Sequence, residues 1–298
     1  MTIYDVDCVL DIKASVGEGA VWCRASQRLL WVDVWGKTLH RFDPVTCRDE
    51  AWSLPERVGC VAPVGPDDMV VGLETGIFSF APSTQALLPY GLPMAHSIHN
   101  RCNDSVVDPS GRLWCGTMNL QGLQGPASGE LYSVTGKDRP ARHLTGLYLS
   151  NGLACSPEGK RLYLSDSHPS VNRIWTFELD IEAGTIAKQQ VFFDCAELPG
   201  RPDGATVDVD GCYWICAVDG WEILRITPTG KIDRRIPVPI SKPSKVAIGG
   251  ARLDTLFITS IRANIDPNIL EQQPQAGGLF ALHVGPIGIA SPLMHTRI

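Results

Sequence analysis

No stretch of this 298-residue chain is apolar for long enough, about 20 residues, to cross a membrane as a helix. The first seven residues, MTIYDVD, lack the basic start and apolar core of a secretory signal, so the cytosol is the expected compartment and no membrane partner is expected. There is no Lys/Arg run, and the formal net charge is -6, which argues against a nucleic-acid partner. The ten cysteines include no CxxC pair and read as scattered free thiols. Several catalytic signatures are also missing: no G-x-S-x-G elbow, no H-E-x-x-H, no P-loop and no G-x-G-x-x-G. These absences remove the common serine hydrolase, zincin, NTPase and dinucleotide-binding classes. His96 and His99 read as polar loop residues rather than metal ligands. Helical periodicity is scarce as well, with no long run of apolar residues at i, i+3, i+4 and i+7.

What remains is short apolar or alternating runs, punctuated by 29 Gly, 22 Pro and many Asp and Asn. The runs come in pairs. Residues 28–34 precede 38–43, residues 112–117 precede 129–134, and residues 212–217 precede 222–226. Three further pairs fill the intervals, giving six units spaced by roughly 40–50 residues, the period of propeller blades. Each unit has a shorter strand upstream, at 20–23, 60–64, 105–108, 153–156, 205–209 and 245–248, and room for one downstream. The expected fold is therefore all-β: a six-bladed propeller with four-stranded blades, occupying 1–298 as a single domain. The spare run at residues 6–12 is expected to join the last blade and close the ring. The expected assembly is a monomer or a weak homodimer.

The first strand of a propeller blade lines the central channel, so the residue before it stands at a channel mouth. Those six positions are Glu18, Val58, Asn103, Asn151, Asp203 and Ser244. A lone Asn or Asp before a turn often merely caps it. Four oxygen-bearing side chains at one equivalent position, two of them acidic, point instead to a shared site. Two carboxylates in a narrow channel call for a compensating cation. An all-oxygen set favours Ca2+, with Mg2+ and Mn2+ of the same hard character; Zn2+ or Fe2+ also fits three protein ligands with open positions. Such a centre supports Lewis-acid hydrolysis, with a carboxylate as general base. Arg101, two residues before Asn103, is placed to hydrogen-bond an anionic or polyhydroxyl substrate.

The segments Gly17–Trp22, Arg101–Asp104, Ser150–Ala154, Arg201–Gly204 and Gly249–Leu256 resemble, in order, those of the family of senescence marker protein 30 (regucalcin), gluconolactonase and luciferin-regenerating enzyme. The resemblance implies a six-bladed propeller with one divalent metal and, in most bacterial-looking members, hydrolysis of a sugar lactone. By position it implies Glu18, Asn151 and Asp203 as metal ligands, Asp203 also as general base, and Arg101 and Asn103 as substrate contacts. Gln121 stands where regucalcin-like members carry a Glu, so a third substrate contact of altered preference is expected there. The tail around residues 274–280 looks most like that of bacterial sugar-acid lactonases. The substrate implied is a glucono-, xylono-, arabinono- or galactonolactone. A phosphotriester hydrolase and a non-enzymatic calcium-binding propeller are the rival readings.

Overall fold

A computed structural model describes residues 4–90, 99–136, 139–196, 198–285 and 287–295. The described chain forms six antiparallel sheets of four strands each. The innermost strands are Gly17–Cys23, Val58–Pro63, Asn100–Val107, Ser150–Cys155, Arg201–Val207 and Pro243–Gly249. Each lies beside the next around the ring, and the last lies beside the first. In the sixth blade the N-terminal strand Asp7–Leu10 is the outermost, pairing Asp7 with Ala281 and Cys8 with Phe280. The expected ring closure is therefore present, and it covers what would otherwise be an open edge of Leu279–His283.

The aromatic strand centres pack between blades. Trp22, Trp31, Trp114, Trp214, Tyr163 and Tyr213 are all fully buried. Trp22 of the first blade stacks on Phe257 of the sixth at 5.7 Å between ring centres, which seals the joint where the ring closes. Among the described residues the only helical segments are the five-residue helix Pro267–Glu271 and a single 3-10 turn, Gly122–Gln124, so the scarcity of helix is as expected.

Two features sharpen the sequence expectation. First, the inner strands begin earlier than the apolar runs suggest; the third starts at Asn100 rather than residue 105. The channel-mouth residues thus lie within strands, not before them. Every inner strand carries a bulge there: one extra residue opposes the second strand between Glu18 and Val21, Val58 and Cys60, Cys102 and Ser105, Asn151 and Ala154, Pro202 and Ala205, and Pro243 and Val246. A bulge re-aims a side chain that the plain alternation of a strand would send elsewhere. Second, the acidic residues of the following turns have a different task. Asp108 and Asp208 accept turn N–H groups and bond the indoles of Trp114 and Trp214 at 2.9 and 2.8 Å. These buried aspartates are structural caps, which separates them from Asp203.

Candidate metal centre

Glu18, Arg101, Asn103, Gln121, Asn151 and Asp203 all line one cavity of about 470 Å3 at a mouth of the channel. They come from four blades: Glu18 from the first, Arg101, Asn103 and Gln121 from the third, Asn151 from the fourth and Asp203 from the fifth.

Asp203 is buried, and among the described residues no hydrogen bond or ion pair reaches its carboxylate. Glu18 is half-buried and accepts the N–H of its neighbour Gly19 at 3.0 Å. Burial is the main force raising both carboxyls. The negative charge of Asp104 adds to it for Glu18, which is pushed up to about 7, while the Gly19 N–H, Lys245 and Arg101 oppose it. For Asp203 burial is joined by repulsion from Glu18, which drives it well above the usual carboxylate range against the nearby positive charge of Arg201.

Asn151 supplies an oriented amide. Its Nδ2 donates to Ser167 Oγ at 2.8 Å, and its Oδ1 accepts from Asn103 Nδ2 at 2.9 Å. The Ser167 hydroxyl donates to the Pro202 carbonyl, tying this amide to the backbone just before Asp203. Asn103 directs its second N–H to the Ser150 carbonyl at 2.9 Å, so its carbonyl oxygen is the part of the amide left for another partner. Arg101 is buried, not a surface arginine, and among the described residues its guanidinium makes one hydrogen bond, to the Cys102 carbonyl at 2.8 Å. Burial lowers it to about 10, with the Arg57 charge acting the same way and Glu18 opposing. Gln121 is exposed at the rim, its backbone N–H bonded to Asn119 Oδ1 at 3.0 Å.

These residues fit a cation. Two carboxylates are taken from water with almost no hydrogen bonds in return, and they repel each other; an oriented amide oxygen adjoins them. Hard-oxygen donors of this kind suit a divalent ion. Among the described residues no three Asp, Glu, His or Cys side chains converge, so a cation here would draw on two carboxylates and an amide. His99 is exposed, and His96 lies outside the described residues.

Sequence reasoning missed several neighbours. Arg57, Lys242, Ser167 and the half-exposed Trp35 also line the mouth, and they come from loops or strand ends with no repeated word to flag them. It also missed what lies beneath. The residue after each mouth position is Gly19, Gly59, Asp104, Gly152, Gly204 or Lys245. Asp104 and Lys245 belong to opposite blades, and Lys245 Nζ donates to Asp104 Oδ1 at 2.6 Å with both side chains buried. Asp104 also accepts the N–H of Ser105 at 2.9 Å and of Leu153 at 2.8 Å. This bridge crosses the channel, with a second, smaller cavity of about 120 Å3 on its far side. Glycine makes room for it: a Cβ at Gly204 would overlap the Lys245 side chain and lie 2.7 Å from the Ser244 carbonyl oxygen.

Fold and site together define a six-bladed propeller with an oxygen-donor centre at the mouth of its channel. The chain belongs to the SMP-30/gluconolactonase/LRE-like family, whose profile matches residues 16–262. It is 35% identical over 287 residues to the 6-deoxy-6-sulfogluconolactonase of Pseudomonas putida, covering 96% of this chain and 97% of that protein. It is 30% identical over 281 residues to regucalcin of Danio rerio, covering 94% of each. Among solved structures, a calcium-binding regucalcin of Agrobacterium tumefaciens has the same fold, with a TM-score of 0.92 over 99% of this chain and 100% of that one at 24% identity.

Proposed function

We propose that this chain hydrolyses a sugar lactone to the aldonic acid at the channel mouth, with a divalent cation held by Glu18, Asn151 and Asp203. The observation that carries the reading is the pair of poorly partnered carboxylates beside an oriented amide and a buried arginine in one open cavity. Relatives named for lactone hydrolysis support the substrate class. The ligand type favours Ca2+. The bound ion would supply positive charge against the oxyanion that develops at the lactone carbonyl.

The chain's own residues do the rest. Asp203, as its carboxylate, takes a proton from a water attacking the carbonyl carbon. The ring C–O bond breaks as the tetrahedral species collapses, and the released ring oxygen takes up the proton that Asp203 accepted, which restores the carboxylate. Arg101 donates to substrate oxygens with the N–H groups that the Cys102 carbonyl leaves unused, and the Asn103 carbonyl accepts from a ring hydroxyl. Gln121 reaches the substrate from the rim.

The test is a panel of glucono-, xylono-, arabinono- and galactonolactone beside a phosphotriester, each with and without added Ca2+, Mg2+, Mn2+ and Zn2+. The expected result is metal-stimulated lactone turnover well above the spontaneous rate and none of the phosphotriester. Lactone turnover at background with every metal would refute the reading; phosphotriester turnover alone would favour the rival hydrolase.

A further inference from the structure

The mouth is lined by more cations than carboxylates, and two carboxylates just behind the lining, Glu74 and Asp219, pair with three of those cations. Glu18 and Asp203 bring two carboxylates, whereas Arg57, Arg101, Arg201 and Lys242 bring four cations. A divalent cation between the carboxylates would leave the cavity positively charged. A neutral sugar ring needs no such excess, because its hydroxyls are served equally well by amides and carbonyls.

The cations fall into two groups. Arg201 and Lys242, from the fifth and sixth blades, are already engaged. Arg201 bonds Asp219 at 2.8 Å and the Ser167 carbonyl at 3.2 Å. Lys242 Nζ bonds the carbonyls of Ala263 and Asn264 at 3.3 and 3.0 Å and lies 3.8 Å from Asp219. Arg57 and Arg101 differ. They come from the adjacent second and third blades, Arg57 standing immediately before Val58–Pro63 and Arg101 within Asn100–Val107. Among the described residues Arg57 has one ion pair, to Glu74 at 3.4 Å, and Arg101 has none. Their proximity is also seen electrostatically: the Arg57 charge lowers Arg101, and the Glu74 carboxylate that pairs with Arg57 opposes it. Two guanidinium groups facing one cavity with most of their N–H donors unused form a fork for an anion with several oxygens.

We propose that the preferred lactone carries a second, anionic group on its far carbon, with carboxylate, sulfonate and phosphate ester as members of one oxygen-anion class, and that Arg57 and Arg101 hold that group. Arg57 is a specificity-determining residue here: it binds the substituent and takes no part in the bond-making step. The inference rests on the lactonase reading above and adds to it the charge of the substrate.

The experiment compares kcat/KM for gluconolactone with that for its 6-phosphate, its 6-sulfonate and the lactone of glucaric acid, in the metal-loaded enzyme and in Arg57→Gln and Arg57→Lys. At least one anionic lactone should be preferred by roughly ten- to a hundredfold, the scale of one charge-assisted hydrogen bond. The preference should decline as salt is raised. It should collapse towards one in Arg57→Gln and be partly kept in Arg57→Lys, with thermal melts checking that both variants fold. The three anions are told apart by which ratio is largest. Turnover of all four lactones at similar rates overturns the inference and leaves the lactonase reading standing, as does a preference that Arg57→Gln does not change. Absence of turnover with every lactone overturns both together.

Discussion

Glu18 and Asp203 are held where two carboxylates are costly. A carboxyl raised in the folded chain binds its proton more tightly there than in the unfolded chain. Its favourable contribution is therefore complete below the unfolded value and is lost as pH rises through the folded one. For Glu18 that window runs from 4.5 to about 7. In the metal-free protein, Glu18→Gln should thus raise the melting temperature by a few degrees at pH 8 and give no advantage at pH 4.5. Saturating divalent cation should reverse the order at pH 8, because the ion stabilises wild type and not the variant. Melts at the two pH values, with and without metal, check this; a variant less stable than wild type at pH 8 without metal would contradict it. Chemistry sets the same limit from the other side. Cation binding needs both carboxyls ionised, so apparent metal affinity should fall as pH drops below 7.

The bulged inner strand is the element that makes the site, and the Asp104–Lys245 bridge is its hidden partner. Removing one member of a buried pair strands the other's charge, so Lys245→Met should destabilise the protein by about 3–5 kcal/mol in urea unfolding. Adding Asp104→Leu to that variant should restore a substantial part of the loss, and two equal, additive losses would show that the pair is not coupled. The sequence made one half of this arrangement legible. Glu18, Asn103, Asn151 and Asp203 could be aligned because each precedes an apolar run that ends in a turn. The bulge that aims them is marked, after Glu18, Asn151 and Asp203, only by a following glycine, which also reads as an ordinary turn before a strand, so they were expected just outside the strands rather than inside them. Asp104 and Lys245 occupy the next position, where the other four blades have glycine. A glycine pattern broken twice looks like variation until the ring places the two exceptions opposite each other. Arg57 and Trp35 were illegible for a different reason: they reach the mouth from connections, and no strand period predicts where a connection leads.

At the scale of the whole molecule, the ring turns weak local signals into one site. Four oxygen-bearing side chains separated by up to 185 positions, from Glu18 to Asp203, meet only because each blade delivers its inner strand to the same axis. The six-unit period and the N-terminal closing strand could be read from the sequence, because turns and apolar runs repeat at fixed spacing. The charge balance of the mouth could not, because it depends on which loops face inward.

The central claim is that one cation held by Glu18, Asn151 and Asp203 is required for lactone hydrolysis, with Asp203 as the base. The most direct measurement titrates metal-free protein with a divalent cation by calorimetry and follows lactone turnover at the same occupancies, for wild type and Asp203→Asn. The account predicts one ion per chain and turnover that rises in step with occupancy. It also predicts a variant that binds the ion more weakly and, at saturating metal, loses roughly a hundredfold or more of kcat, as expected for a removed general base. Full turnover in the presence of chelator, or near-wild-type turnover by Asp203→Asn, would contradict it.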